Sequence, residues 1–299
     1  MSMGDRTDSR LRATAADLLS RVADALAQPA SGSAGSIDAA GTAWGMRQWG
    51  ESTGRPVLLI HGVTSGAGIW WRMAPALAAG GFHVTAVDMP GHGRTAWRGR
   101  HRFVDSAGDL ATFIDAAHLD QPDLAVIGHS WGAMIAAHLP TAGIRPRVLV
   151  LLDPPGLTVA QFELMTREPT ERPYETLAEA MAAVRAANPD WLEGDVEAKA
   201  RALTEFSAEA VLVVLLENGD WDAGMAALRQ PAAVSIPAWV VRGEWATGGF
   251  IPDALVPAIR RQVGRERVIT IADGPHSPQR THPEATVVAL LRAMETPRA

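Results

Sequence analysis

A serine hydroxyl becomes a useful nucleophile only when a base takes its proton and a third group orients that base. In this 299-residue chain the serine with suitable surroundings is Ser130, within Asp123-Leu124-Ala125-Val126-Ile127-Gly128-His129-Ser130-Trp131-Gly132-Ala133-Met134. A short apolar run ends in Gly-His-Ser-Trp-Gly, and an alanine-rich helical stretch follows. A G-x-S-x-G pattern between a strand and a helix reads as a nucleophile elbow. The turn is so tight that Gly128 and Gly132 must lack side chains, and it lifts the Ser130 hydroxyl to a helix N-terminus, where free N–H groups favour developing negative charge. In this arrangement the order along the chain is serine, acid, histidine, so the base belongs near the C-terminus. Ile269-Thr270-Ile271-Ala272-Asp273-Gly274-Pro275-His276 supplies a strand, a turn and then His276. Acyl transfer creates an oxyanion that two backbone N–H donors can hold, and one of them is the residue after the nucleophile, Trp131.

The elements needed to hold these residues can be read in order. Residues 8–28 form an amphipathic helix with Leu11, Leu18, Leu19, Val22 and Leu26 on one stripe, ended by the linker Gln28-Pro29-Ala30-Ser31-Gly32-Ser33. Residues 35–49 read as a hairpin around Gly41. Apolar runs of buried-strand type follow at 56–60, 82–87, 123–127 and 147–152, with helices at about 71–79, 103–117 and 131–142 between them. This alternation predicts a parallel sheet covered by helices on both faces. It breaks after Asp153. From 154 to about 236 every periodic pattern is helical, with stripes at Tyr174, Leu177, Met181 and Val184, at Val196, Ala200, Leu203 and Phe206, and at 211–216. Strand and helix then alternate again: 238–242, 252–263, 268–271 and 284–294. The division is residues 1–33 as an N-terminal helical extension and linker, 34–153 with 236–299 as the core domain, and 154–235 as a helical insertion.

Composition narrows the function. The net charge of −6 argues against a nucleic acid or an anionic membrane surface as partner. Cysteine is absent, which excludes disulfides, thiolate metal sites and a cysteine nucleophile. No run approaches the ~18 apolar residues that a membrane span needs, and residues 1–30 lack the apolar core of a signal peptide, so a cytoplasmic protein is expected. The histidines lack metal-ligand spacing, and neither a metal nor another cofactor is expected. Lys199 is the only lysine, which reads as genome composition rather than function. The N-terminal helix could dock on the main domain or mediate oligomerisation, so a homo-oligomer stays open.

These motifs together resemble the α/β-hydrolase family over roughly residues 35–299. Gly128-His129-Ser130-Trp131-Gly132 is similar to its elbow, His61-Gly62 to its oxyanion turn, and Asp88-Met89-Pro90-Gly91-His92-Gly93 to its glycine-rich turn after the fourth strand. His276, with Pro278 and Pro283-Glu284 downstream, resembles its catalytic-histidine segment. The resemblance implies a doubly wound, mostly parallel eight-stranded sheet with an all-helical cap inserted after strand six. It also implies Val63 as the second oxyanion donor, with His61 bracing that turn and His129, His92 and His138 in structural roles. The family commonly places its acid after the seventh strand in a Gly-x-x-Asp pattern, and here Gly243-Glu244-Trp245-Ala246 puts Ala246 at that place. Asp153, at the end of the sixth strand, is the first candidate for the acid, as in some branches of the family; Glu244 is the rival.

A serine nucleophile leads to an acyl-enzyme, which points to a cofactor-free serine hydrolase of a carboxylic ester or lactone. A C–C bond hydrolase of β-diketone-like ring-fission products would use the same three residues, and a catalytically weak ligand-binding member of the family is the reading from another class. Trp70, Trp71 and Trp245 near the strand ends, with Trp191 and Trp221 in the insertion, are candidates to line a pocket for a small hydrophobic or aromatic substrate.

Overall fold

The computed structural model describes residues 17–167 and 171–296. Its centre follows from the apolar runs. Strands β3 (Arg55–Ile60), β4 (Phe82–Val87), β5 (Ala125–His129), β6 (Val148–Leu152), β7 (Ala238–Arg242) and β8 (Val268–Thr270) lie parallel. They are preceded by β1 (Ser33–Ala39) and β2 (Thr42–Trp49), which pair antiparallel. The eight strands form one sheet in the order β1-β2-β4-β3-β5-β6-β7-β8, with β2 also antiparallel to β4. The hairpin expected around Gly41 turns through Ala40 and Gly41, both at positive φ (51° and 73°). A two-residue loop with both residues left-handed matches the twist of the paired strands.

The period of two along the buried strands builds two cores, one on each face of the sheet. Leu58 and Ile60, Val126, Leu149 and Leu151 face one of them, packing against helices α3 (Phe103–Ala116) and α4 (Trp131–His138). Val57 and Leu59, Ile127, Val150 and Leu152 face the other, packing against α2 (Met73–Ala79) and the C-terminal helix α12 (Pro283–Met294). Each fully buried Val, Leu or Ile contributes roughly 1.5–3 kcal/mol relative to exposure, so a one-residue slip of any central strand would invert both cores.

The first helix, α1, occupies residues 17–27 of the described chain. It meets the second core through Leu18, Val22, Ala25 and Leu26. Leu19, expected on the same stripe, is 51% exposed, because the contact face centres on the 18-22-25-26 edge. Leu11 lies outside the described residues. Between β6 and β7 the named elements among the described residues are all helices: α5 (Val159–Arg167), α6 (Leu177–Ala187), α7 (Glu193–Thr204), α8 (Ala208–Glu217) and α9 (Met225–Leu228). Thr176 and Ser207 cap α6 and α8 by accepting N–H bonds from Glu179 and Ala210. Helices α6 and α7 enclose their own small core of Ala180, Val184, Val196, Ala200 and Leu203. Phe162, Val214 and Trp221 instead extend the main core. Among the described residues no helix is long and apolar enough to cross a membrane.

Candidate active site

Ser130 sits between β5 and α4 at φ 55°, ψ −120°. This left-handed value is strained for a residue with a side chain and persists only where the surroundings enforce it. They do so here by close approach. A Cβ on Gly128 would lie 2.2 Å from the Gly132 carbonyl oxygen, and one on Gly132 would lie 2.5 Å from that of Ile60. Among the described residues six non-glycine residues have positive φ, and three of them, Ser130, Asp153 and Asp273, belong to the loops that converge at this point. The strand ends are bent to aim side chains at one spot.

His276 connects two of those ends. Its Nε2 lies 2.9 Å from the Ser130 Oγ, and its Nδ1 lies 2.7 Å from the Asp153 Oδ2. Asp153 is fully buried, and its carboxylate accepts two further bonds, from the N–H of Gly243 (3.0 Å) and of Phe250 (2.8 Å). Those donors fix its rotation, so one oxygen faces the imidazole. The Phe250 ring stacks on His276 with centroids 3.6 Å apart and planes 13° from parallel. Behind it, His129 Nε2–H donates to the His276 carbonyl at 2.9 Å. Burial, reinforced by the neighbouring His276, pushes the His129 pKa well below its ordinary value, so this ring stays neutral. Of the two carboxylates left open by the sequence, it is Asp153 that meets the imidazole. Glu244 precedes the short helical turn Trp245–Thr247, and its backbone, not its carboxylate, ties the loop to Gly274.

The turn from His61 to Thr64 is braced by two buried histidines. Met89 N–H donates to His61 Nε2 at 3.0 Å, so that nitrogen carries no proton and Nδ1–H donates to the Gly62 carbonyl at 2.7 Å. Burial pushes both the His61 and the His92 pKa down. His92 Nε2–H in turn donates to the Val63 carbonyl. Gly62, Val63, His129, Ser130 and His276 line a cavity of about 580 Å³. Trp131 opens α4, and its N–H and that of Gly132 have no acceptor in the helix, whereas those of Ala133 and Met134 donate to the Ser130 carbonyl.

The cavity's apolar wall comes from α5 and α8 and the loops around them, with Phe162, Met165, Phe206, Val211, Leu215 and Trp221, and from Trp191 in the loop between α6 and α7. Two of the five tryptophans expected there, Trp191 and Trp221, are therefore in place. The other three are not. Trp70 is fully buried in the core on the opposite face, beneath the sheet end rather than above it. Trp71 turns away to donate from Nε1 to Asp195 at 3.0 Å, and Trp245 is 41% exposed on the surface. A tryptophan adjacent in sequence to a strand end can face either layer, and only packing decides which.

Two residues that the sequence does not single out for this place reach it. Phe250 is one, and nothing in its Gly-Gly-Phe context signals a plate for the histidine. Lys199 is the other. The residue is 5% exposed, and its ammonium reaches from α7 to Thr64, donating to the Thr64 carbonyl (2.8 Å) and hydroxyl (2.9 Å) and pairing with Glu171 at 2.8 Å. Burial pushes its pKa down to about 8. Its being the only lysine of an arginine-rich chain is the one signal the sequence carries for it. Among the described residues no group of three or more His, Asp or Glu side chains is placed to hold a metal ion.

Comparison with known proteins agrees with this architecture. The chain is 30% identical over 280 residues to lipase LipV of Mycobacterium tuberculosis, covering 85% of this chain and 98% of that one. It is 26% identical over 271 residues to esterase Rv0045c of the same organism, covering 83% and 85%. Among solved structures, E-2-(acetamidomethylene)succinate hydrolase superposes with a TM-score of 0.73 over 89% of this chain and all of the other, at 20% identity, which speaks for the fold alone. Residues 57–290 match the profile described as the alpha/beta hydrolase family, and the chain belongs to that family.

Proposed function

We propose that this protein is a serine hydrolase acting on a carboxylic ester or lactone, with Ser130 as nucleophile, His276 as base and Asp153 as the group that orients it. The observation that carries this reading is the continuous contact from Asp153 through His276 to Ser130 at 2.7 and 2.9 Å. His276 Nε2 takes the hydroxyl proton as Oγ attacks the carbonyl carbon, and Asp153 accepts the Nδ1–H and stabilises the imidazolium. The N–H groups of Val63 and Trp131 hold the oxyanion. His276 then returns the proton to the leaving alcohol, and water repeats the sequence on the acyl-enzyme. Helices α5–α9 act as a cap that supplies the apolar wall and excludes water, which favours a bulky apolar group on at least one side of the scissile bond. The named activities of the lipase and esterase relatives support the same reaction class.

The test is an organophosphonate probe together with a panel of p-nitrophenyl esters and lactones. One covalent adduct is expected, on the peptide holding Ser130, with ester turnover, and Ser130→Ala should lose both. Labelling elsewhere, or no turnover across the panel, overturns the reading.

A further inference from the structure

The cavity is not apolar throughout. One of its walls carries charge. Among the described residues, the charged ones that line the cavity are Glu171, Arg172, Lys199 and Arg280, three cations and one anion. Lys199 spends its ammonium on Thr64 and Glu171. Arg280 is different. It lies in the short helix α11 (Pro278–Thr281), just past His276, and is only 7% exposed. Its guanidinium lies over the Trp191 ring, 4.5 Å from the centroid. That contact uses the face of the guanidinium and leaves its in-plane N–H donors free. Among the described residues none accepts a hydrogen bond from this side chain or pairs with it. Asp195 and Glu171 are near enough for their charges to act on it, but Asp195 is bonded to Trp71 and Glu171 to Lys199 and Thr64.

A guanidinium stays charged, and withdrawing it from water without a partner is costly. An arrangement that holds one against an aromatic face on a cavity wall, with its donors unpaired, is completed by a ligand that accepts from the planar fork. A carboxylate fits that fork with two parallel bonds. We propose that Arg280, on the cavity wall it shares with Lys199, forms a carboxylate-binding subsite, so that the preferred ester carries an anionic group on the part of the molecule that reaches this wall. The subsite rests on the hydrolase reading above and deepens it: the substrate is amphipathic, apolar against α5 and α8 and anionic at α11.

The experiment uses the full-length protein and two series of p-nitrophenyl esters of straight-chain acids, matched in length, one ending in methyl and the other in carboxylate. At one chain length the carboxylate ester should exceed its neutral twin about tenfold or more in kcat/KM, mostly through KM. Arg280→Met should abolish that preference and Arg280→Lys should keep part of it, with circular dichroism establishing that both variants fold. Preference for the neutral ester at every length, or an Arg280→Met variant that slows both series in equal proportion, overturns the subsite and leaves the hydrolase reading standing. If no ester is cleaved, the hydrolase reading fails separately. The subsite is then read by calorimetric titration with adipate: weaker binding to Arg280→Met supports it, and equal binding or none overturns it.

Discussion

The centre at Ser130 and the charged wall at Lys199 and Arg280 border one cavity but are built in opposite ways. The first is held by backbone. Strained strand ends aim Ser130 and Asp153, and N–H groups of Gly243 and Phe250 orient the carboxylate. The second is held by side chains that reach across from separate helices: Lys199 from α7 to Thr64, Arg280 from α11 over Trp191. Backbone-held groups are pre-positioned for chemistry that tolerates little displacement. Side chains bridging an insertion and the core can be exchanged without disturbing the sheet, so they are the natural place for specificity to vary. Removing a residue from the first region should therefore abolish turnover, whereas a change in the second should alter which substrate is turned over and at which pH.

The largest expected effect separates two histidines. His276→Ala should lower kcat by about 10⁴ or more, while His282→Ala, at the start of α12 and in contact with Thr281, should leave kcat within about threefold. Equal losses would place the base elsewhere and dissolve the distinction between the regions.

Next comes the acid. Asp153→Asn should cost on the order of 10³–10⁴ in kcat. It should also cost about 1–3 kcal/mol in stability, measured by urea denaturation, because the amide must turn an N–H group toward the N–H of Gly243 or of Phe250. Glu244→Gln should be mild on both counts. If Glu244→Gln were the more damaging, the acid would have been misassigned.

Phe250→Ala removes the plate under His276 but leaves its backbone donor to Asp153. About ten- to a hundredfold in kcat is expected, with KM less affected, since a small tilt of the imidazole is enough to spoil the attack geometry. Retention of full kcat would show that Asp153 and His129 alone hold the ring.

The smallest effect tests the charged wall by pH. The Lys199 pKa is lowered to about 8 from its ordinary 10.5, so its charge is present below about pH 8 and lost above it. The groups facing it are Glu171, Thr64 and Arg280. As the proton leaves, the tie to Thr64 weakens, and kcat/KM should fall by about two- to tenfold above pH 8. In Lys199→Met that step should be missing. Stability moves the other way. Between about 8 and 10.5 the unfolded chain holds a proton that the folded protein has released, so this group's contribution to stability rises with pH in that window. A drop in Tm across the same range that Lys199→Met also shows would mean that the activity loss reports unfolding and not the wall.

The sequence by itself determined what depends on short-range pattern. Gly128-His129-Ser130-Trp131-Gly132 fixed the elbow because only glycine fits where Cβ atoms would meet the Gly132 and Ile60 carbonyls. The apolar runs at β3, β5, β6 and β7 determined a sheet buried on both faces, since a strand with no polar face must be covered twice. His276 was legible for a similar reason: it follows a strand and a turn at the chain end, where the order of the three residues requires the base. Only the tertiary structure decided what depends on the meeting of distant segments. It brought Asp153 rather than Glu244 to the imidazole, because that contact rests on which loop approaches His276, and the loop after β7 runs so close to the next one that a Cβ on Gly243 would lie 2.5 Å from the Gly274 and Pro275 carbonyl oxygens. It sent Trp70 into the core under the sheet and Trp71 toward Asp195, and left Trp191 and Trp221 on the cavity. It also brought Lys199 to Thr64, 135 residues away in the chain, and turned Arg280 inward over Trp191. No periodicity encodes these last contacts, because a charged side chain is buried only where partners from other elements, or a ligand, offset the loss of water.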